Sequence, residues 1–393
     1  MIYDFDQIID RRRTNSIKWQ KYPQDVLPLW VADMDFAAPE PVLSALREAV
    51  EHGIFGYESP TRELCEIVAA RMEKLYGWKV APEMVVATPG VIAGFNAAAR
   101  TACAAGQGIL VQPPVYPPFL SVHKNAALVR QEAQLKVTAD GASLHYRVDF
   151  GEFEQAVNEC NAHTGMFLLC NPHNPTGQVF SRPDLLRMAE ICLKNDTVIC
   201  SDEIHSELLL GGAKHIPIGS LAPEIGEKTI TLIAPSKTFN IAGLLCGFAI
   251  IPNPELLRSY KITIEQMSLH VNSMGLAGAK AAFSGECDEW LNTLRSYLTG
   301  NRDFLVEYVK QELKGIKVTV PEATYLAWLD CNDLVKNGRI QGSPFDFFLK
   351  QAKVALNEGS DFGLSGEGFA RLNFGCPRKT LMEALERMKA SLS

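Results

Sequence analysis

Thr231-Leu-Ile-Ala-Pro-Ser-Lys237-Thr-Phe-Asn-Ile-Ala-Gly-Leu-Leu245 is the stretch on which the reading of this chain turns. Its opening residues finish an apolar run, Thr229–Ala234, of the length and composition of a buried strand. Lys237 is the only charged residue between Lys228 and Glu255. A lysine in such a setting either reaches solvent on its flexible stem or is desolvated. In the second case it loses proton affinity and becomes a nucleophile for carbonyl compounds. Taken alone, the stretch favours the first reading; its neighbours along the chain favour the second.

Working outward, the middle of the chain alternates short apolar runs with longer amphipathic ones, the mark of βα units around a parallel sheet. Strands are expected at Met84–Ala87, Gly108–Gln112, Met166–Cys170, Thr197–Ser201, Thr229–Ala234 and Gly247–Ile251. Helices are expected at Val91–Ala105 and Pro183–Leu193, the second with Ser181 as N-cap and Pro183 in its first turn. Ligands of open α/β sheets collect beyond the carboxyl ends of the strands, and four strand ends carry chemistry. Thr88-Pro-Gly leads into a helix start with free N–H groups. Asn171-Pro-His-Asn-Pro-Thr-Gly177 is a rigid polar turn. Ser201 delivers Asp202, Glu203 and His205, and Ala234 delivers Pro235, Ser236 and Lys237. An anion cradle, an amide, a carboxylate and an amine thus converge on one edge.

After about Ser284 the texture changes. A long amphipathic segment (286–313) precedes strand-like Lys317–Val320 and Thr324–Leu329, a helix near Pro344–Gln351, a strand at Ala370–Phe374 and a final helix from Arg378. This α+β texture predicts a smaller layer, which the first 40 or so residues join. The expected division is a large body over 45–285 and a small one made of 1–44 and 286–393.

Composition narrows the function classes. Of 393 residues, 47% are hydrophobic and 21% charged, a globular balance. The net charge of −7 and the lack of a basic reading helix argue against a nucleic-acid partner. The acidic start Met1-Ile-Tyr-Asp-Phe-Asp6 is unlike a signal peptide, and no run approaches the roughly 20 apolar residues of a membrane span. Ten scattered cysteines without a CxxC pair read as reduced residues of a cytoplasmic protein. Nothing has metal-ligand spacing.

Asn174-Pro-Thr-Gly177, Ser201-Asp-Glu203 and Ser236-Lys237 at these separations resemble the aspartate-aminotransferase family, fold type I of the pyridoxal 5'-phosphate enzymes. Finer marks are Trp30-Val-Ala-Asp-Met-Asp-Phe36, Gly56-Tyr57, Asp202-Glu-Ile-His205 and Ala234–Gly243. They are similar to the MalY/PatB-type cystathionine β-lyases, also called C–S lyases or cystalysins. The resemblance implies an α/β fold with a mostly parallel central sheet flanked by helices, plus the smaller α+β domain. It implies pyridoxal phosphate held as a Schiff base on Lys237, which then serves as the base for the substrate's α-proton. Asp202 would pair with the pyridine nitrogen, Asn174 with the phenolic oxygen, and Tyr116 would cover the ring, with His205 nearby. Gly90, Val91, Ile92 and Ser236 would hold the phosphate, joined by Tyr57 of a second subunit in a homodimer with shared sites. Arg371, with Ala32 and Asp33, would bind the amino-acid substrate, Arg371 taking its carboxylate.

Two positions depart from the transaminase pattern, and one from some of the lyases. Leu245 stands where transaminases of this fold carry an arginine, eight residues after the lysine, and His205 stands where they often carry a tyrosine. Both are shared with the lyases. Pro117 follows Tyr116, where some lyases have a second tyrosine. The expected reaction is β-elimination from L-cystathionine, L-cysteine or S-substituted cysteines to pyruvate, ammonia and a thiol. An aminotransferase is the alternative. The resemblance also carries a regulatory, protein-binding role, for which no residue pattern in this sequence speaks.

Overall fold

The Thr164–Cys170 strand is buried along its whole length, as a strand covered on both faces must be. Met166, Leu168 and Cys170 pack with Phe95 and Ala97–Ala99 of the Val91–Ala102 helix on one face. Phe167 and Leu169 pack with Leu185, Met188 and Ala189 of the Arg182–Lys194 helix on the other. Each such fully buried Phe or Leu contributes about 1.5–3 kcal/mol. The alternation is the period of two of a β-strand, and it fixes which helix lies on which side. The computed structural model describes residues 3–158 and 162–393.

Seven strands form the central sheet, in the order Val85–Thr88, Gly247–Ile250, Thr229–Ile233, Val198–Asp202, Thr164–Cys170, Gly108–Val111 and Val129–Glu132. Only Gly247–Ile250 runs antiparallel to its neighbours; the other pairs are parallel. The six strands expected from the sequence are all present, displaced by at most two residues at either end. Ser181 caps its helix as expected, accepting from the Asp184 N–H at 3.3 Å.

A second, six-stranded sheet runs Asn357–Glu358, Phe369–Asn373, Leu326–Asp330, Lys317–Thr319, Ser143–Val148 and Leu135–Asp140. Its last two strands lie in sequence between strands of the first sheet, and Val318 pairs in parallel with Ser143. The Asp288–Glu312 and Arg378–Ser391 helices pack against one another beside it. The N-terminal segment joins the C-terminal part through Leu27–Pro28, parallel to Val354–Ala355, and through the Asn373 N–H donated to the Leu29 carbonyl at 2.9 Å. This seam carries residues 30–36 to the carboxyl edge of the central sheet. No helix among the described residues is long and apolar enough to cross a membrane.

Candidate active site

Each catalytic candidate stands one short step beyond a strand end. Thr229–Ile233 is followed by the single helical turn Pro235–Thr238, which turns Lys237 into a cavity of about 190 Å³. Val198–Asp202 ends in Asp202, and Thr164–Cys170 ends at the Asn171–Gly177 turn that carries Asn174. Val85–Thr88 leads through Pro89 and Gly90 into the Val91–Ala102 helix. Gly90, Val91, Ile92, Tyr116, Asn174, Asp202, His205, Ser236, Lys237 and Ala32 all line the cavity. A larger groove of about 740 Å³, over Leu144–Val148 and Thr319–Val320, touches the Asn171–Gly177 turn at Thr176 and holds none of these candidates.

The Lys237 amine donates to the Ala32 carbonyl at 2.6 Å. Burial lowers its proton affinity from 10.5 to about 8, with Asp33 and Asp202 opposing and Arg371 adding to the fall. Asp202 is buried and accepts from the Ile204 N–H at 3.1 Å. Burial raises its carboxyl to about 7, which means that a cation placed against it would be needed to keep it fully ionised at neutral pH. His205 is driven down to about 3 by burial and then by Lys237 and Arg371, so its imidazole stays neutral. Burial also raises the Tyr116 phenol.

Gly90 is at φ +89°, ψ 165°, a backbone conformation open to glycine and costly to residues with a Cβ. No side chain caps the helix that follows, so its first N–H groups and its dipole face the cavity as an anion site. Ser236 is buried beside it, donating to the Cys246 carbonyl at 3.4 Å.

Arg371 stands behind Asn174 and does not itself line the cavity. It is buried, donating to Asn174 Oδ1 at 3.0 Å, to the Trp30 carbonyl at 2.8 Å and to Asn357 Oδ1. Its guanidinium carbon lies 5.0 Å over the Phe362 ring. Its Nε has no hydrogen-bond partner, and no carboxylate pairs with it among the described residues. Burial pulls it down to about 10, still charged at neutral pH. A buried guanidinium without an anion is a receptor for one.

Two further expected site residues lie outside the cavity. The Asp33 carboxylate is held by Arg11, Nη2 to Oδ2 at 2.7 Å, and does not line the cavity. Tyr57 stands fully exposed on the segment between the Glu40–His52 and Arg62–Tyr76 helices. Sequence reasoning passed over Tyr325, whose hydroxyl donates to the same Ala32 carbonyl at 2.8 Å and whose ring meets His205 edge-on at 6.1 Å. It also passed over Asn357 and Cys170. Tyr325 and Asn357 follow no strand of the central sheet, and only the packing of the second sheet brings them in.

An electrophilic carbonyl compound that carries an anionic group and a basic ring fits this donor set. The amine would attack the carbonyl, the helix start would take the anion, and the Asp202 carboxylate would take the ring cation. The chain matches the family model for aminotransferase class I and II over residues 24–388. The cystathionine beta-lyase PatB of Bacillus subtilis is 39% identical across 99% of this chain and 100% of its own length. The PLP-bound C–S lyase of Staphylococcus hominis is 32% identical, with a TM-score of 0.91 over 100% of this chain and 98% of that one. Cystalysin of Treponema denticola, whose crystal structure contains pyridoxal 5'-phosphate, is 31% identical, with a TM-score of 0.92 over 100% and 99%. With its site assembled at the carboxyl edge of the sheet and its match running nearly from end to end, this chain belongs to the aminotransferase class I and II family.

Proposed function

We propose that the protein is a pyridoxal-phosphate-dependent carbon–sulfur β-lyase that converts L-cystathionine and related S-substituted cysteines to pyruvate, ammonia and a thiol. The observation that carries the cofactor is the Lys237 amine, brought down to about 8 by burial in a cavity shared with Asp202 and an uncapped helix start. The choice of β-elimination rests on His205 and Leu245, which line that same cavity. The cofactor fits on the structure's own terms. A Cβ at Gly90 would meet no protein atom within 4 Å, which leaves the helix start open to a phosphate. Bound there, pyridoxal phosphate supplies the electron sink that labilises the proton on the substrate's α-carbon.

The chain's residues divide the remaining work. Lys237 would carry the cofactor, and its free Nζ would accept the α-proton. Asp202 would be kept ionised by pairing with the cofactor's ring nitrogen, and Asn174, whose Oδ1 holds Arg371, would donate its amide N–H to the phenolic oxygen. Arg371 fixes the substrate carboxylate, so the α-hydrogen is presented to the amine rather than to solvent. Tyr116, which lines the cavity, would cover one face of the cofactor ring. Neutral His205 and apolar Leu245 stand at the cavity wall without adding charge near the phosphate. The nine described cysteines are all unpaired, which supports a reducing, cytoplasmic setting.

L-Cystathionine is expected to yield pyruvate and homocysteine in equal amounts, pyruvate being read with lactate dehydrogenase and homocysteine with a thiol reagent. Amination of a keto acid at turnover rates, with no pyruvate from cystathionine or cysteine, would establish an aminotransferase instead.

The reading includes a homodimer. Tyr57 sits among Ile54 and Phe55, which are also mostly exposed, and it is free to reach a neighbouring copy's phosphate. The protein is expected to sediment as a dimer with an interface of more than ~2,000 Å². Losing one hydrogen bond to a charged group, Tyr57→Phe should weaken pyridoxal-phosphate retention about tenfold or more, measured by equilibrium dialysis, with thermal unfolding of the cofactor-free protein unchanged. A fully active monomer would refute the shared site.

A further inference from the structure

Residues 30–36 form no helix or strand, yet they present the Ala32 carbonyl to Lys237. An irregular segment holds an atom to a few tenths of an ångström only if something else fixes it. Here the fixing comes from the N-terminal arm. Lys18, only 1% exposed, puts its amine 2.8 Å from Asp35 Oδ2 and 3.2 Å from the Asp33 carbonyl. Arg11 grips Asp35 Oδ1 at 2.6 Å, Asp33 Oδ2 at 2.7 Å and the Met34 carbonyl at 3.1 Å. Two cations and two carboxylates therefore close on the turn immediately after Ala32. Desolvating Lys18 and Asp35, with Arg11 and Asp33 half-buried beside them, is a poor route to stability, since apolar packing of the same volume serves as well or better. What such a cluster provides is geometry and a fixed local charge.

We propose that Arg11 and Lys18 are positioning residues of the active site: through Asp33 and Asp35 they hold the Ala32 carbonyl on the Lys237 amine and set the charge that this amine faces. The assignment rests on Lys237 being the cofactor-bearing amine. Whenever that amine is free, the Ala32 carbonyl, steadied by the Tyr325 hydroxyl at 2.8 Å, is its acceptor. The charged groups around it are Asp33 and Asp202 on the anionic side and Arg371 on the cationic side. Tyr116, Cys170, Tyr325 and His205 stand near it uncharged at neutral pH.

The sign of the effect separates this role from a structural one. Asp33 favours the protonated amine, and Arg11 offsets Asp33. Arg11→Gln should therefore raise the pH midpoint at which the visible absorbance of the substrate-free holoenzyme titrates, and Asp33→Asn should lower it. Each shift should be about one pH unit, as expected for one charge removed from the neighbourhood. The double variant should return near the parent midpoint. Arg11→Lys, which keeps the charge and loses the fork, should leave the midpoint in place while lowering kcat. Shifts of one direction in both single variants, or none, would overturn the assignment, thermal unfolding having shown that each variant folds. If Arg11→Gln does not fold, Arg11→Lys against Asp33→Asn decides it, and a common shift in these two overturns it equally. Borohydride fixing the cofactor on another lysine would overturn the functional reading, and this assignment with it.

Discussion

Lys237→Ala should lower kcat/KM for cystathionine by about 10⁴-fold or more, since one side chain supplies both the covalent tether and the base. The variant should still bind pyridoxal phosphate, held by the helix start, Ser236 and Asp202, and borohydride should no longer fix it to the peptide containing position 237. Retention of more than about 1% of parent activity would remove Lys237 from the centre of the site. The parent protein offers a second check on the same amine. With its proton affinity lowered from 10.5 to about 8, about a quarter of the amine is neutral at pH 7.5, against roughly one part in a thousand for an ordinary lysine. Cofactor-free protein should therefore capture pyridoxal phosphate at a rate that rises with pH and levels off above about 8. It should fall about tenfold for each pH unit below that. A rate still climbing steeply at pH 9 would show that burial does not tune this lysine.

The central sheet was legible because its strands are buried on both faces and read as continuous apolar runs, Thr164–Cys170 most plainly. The candidate groups followed from the same fact, since Lys237, Asp202, Asn174 and Gly90 each stand at the end of one of these strands or within four residues beyond it. Where a strand has one wet face the run breaks up. Leu135–Asp140 is buried only at Leu135, and Ser143–Val148 alternates buried Leu144 and Tyr146 with exposed His145 and Arg147. The Asp140-Gly141 dipeptide, with Gly141 at φ +58°, was the available hairpin signal. That this hairpin leaves the first sheet to pair with Lys317–Thr319 is a long-range choice that no local pattern encodes. The Arg62–Tyr76 helix went unread although Thr61 caps one end, accepting from the Leu64 N–H at 3.2 Å, and left-handed Gly77 ends the other. The grip of Arg11 on Asp33 was equally out of reach, because an irregular segment carries no period from which to infer what its side chains face.

Arg371→Leu should depress kcat/KM for every amino-acid substrate by about 2–5 kcal/mol of transition-state binding, roughly 30- to 5,000-fold. In the structure this guanidinium is committed to three oxygens of Asn174, Trp30 and Asn357, and its Nε stays unpartnered. The three neutral oxygens orient the group without neutralising it, which leaves its charge for an incoming carboxylate. Leucine fills much of the volume and restores apolar contact with Phe362, so the protein should fold. The visible absorbance of bound cofactor should persist, because the Lys237 tether does not depend on Arg371. Arg371→Lys keeps the charge and loses the planar fork, and it should recover only part of the deficit. The loss should also depend on the substrate's carboxylate, so cysteine and its carboxamide should differ severalfold less in the leucine variant than in the parent. Equal discrimination in both proteins would mean that the carboxylate is bound elsewhere.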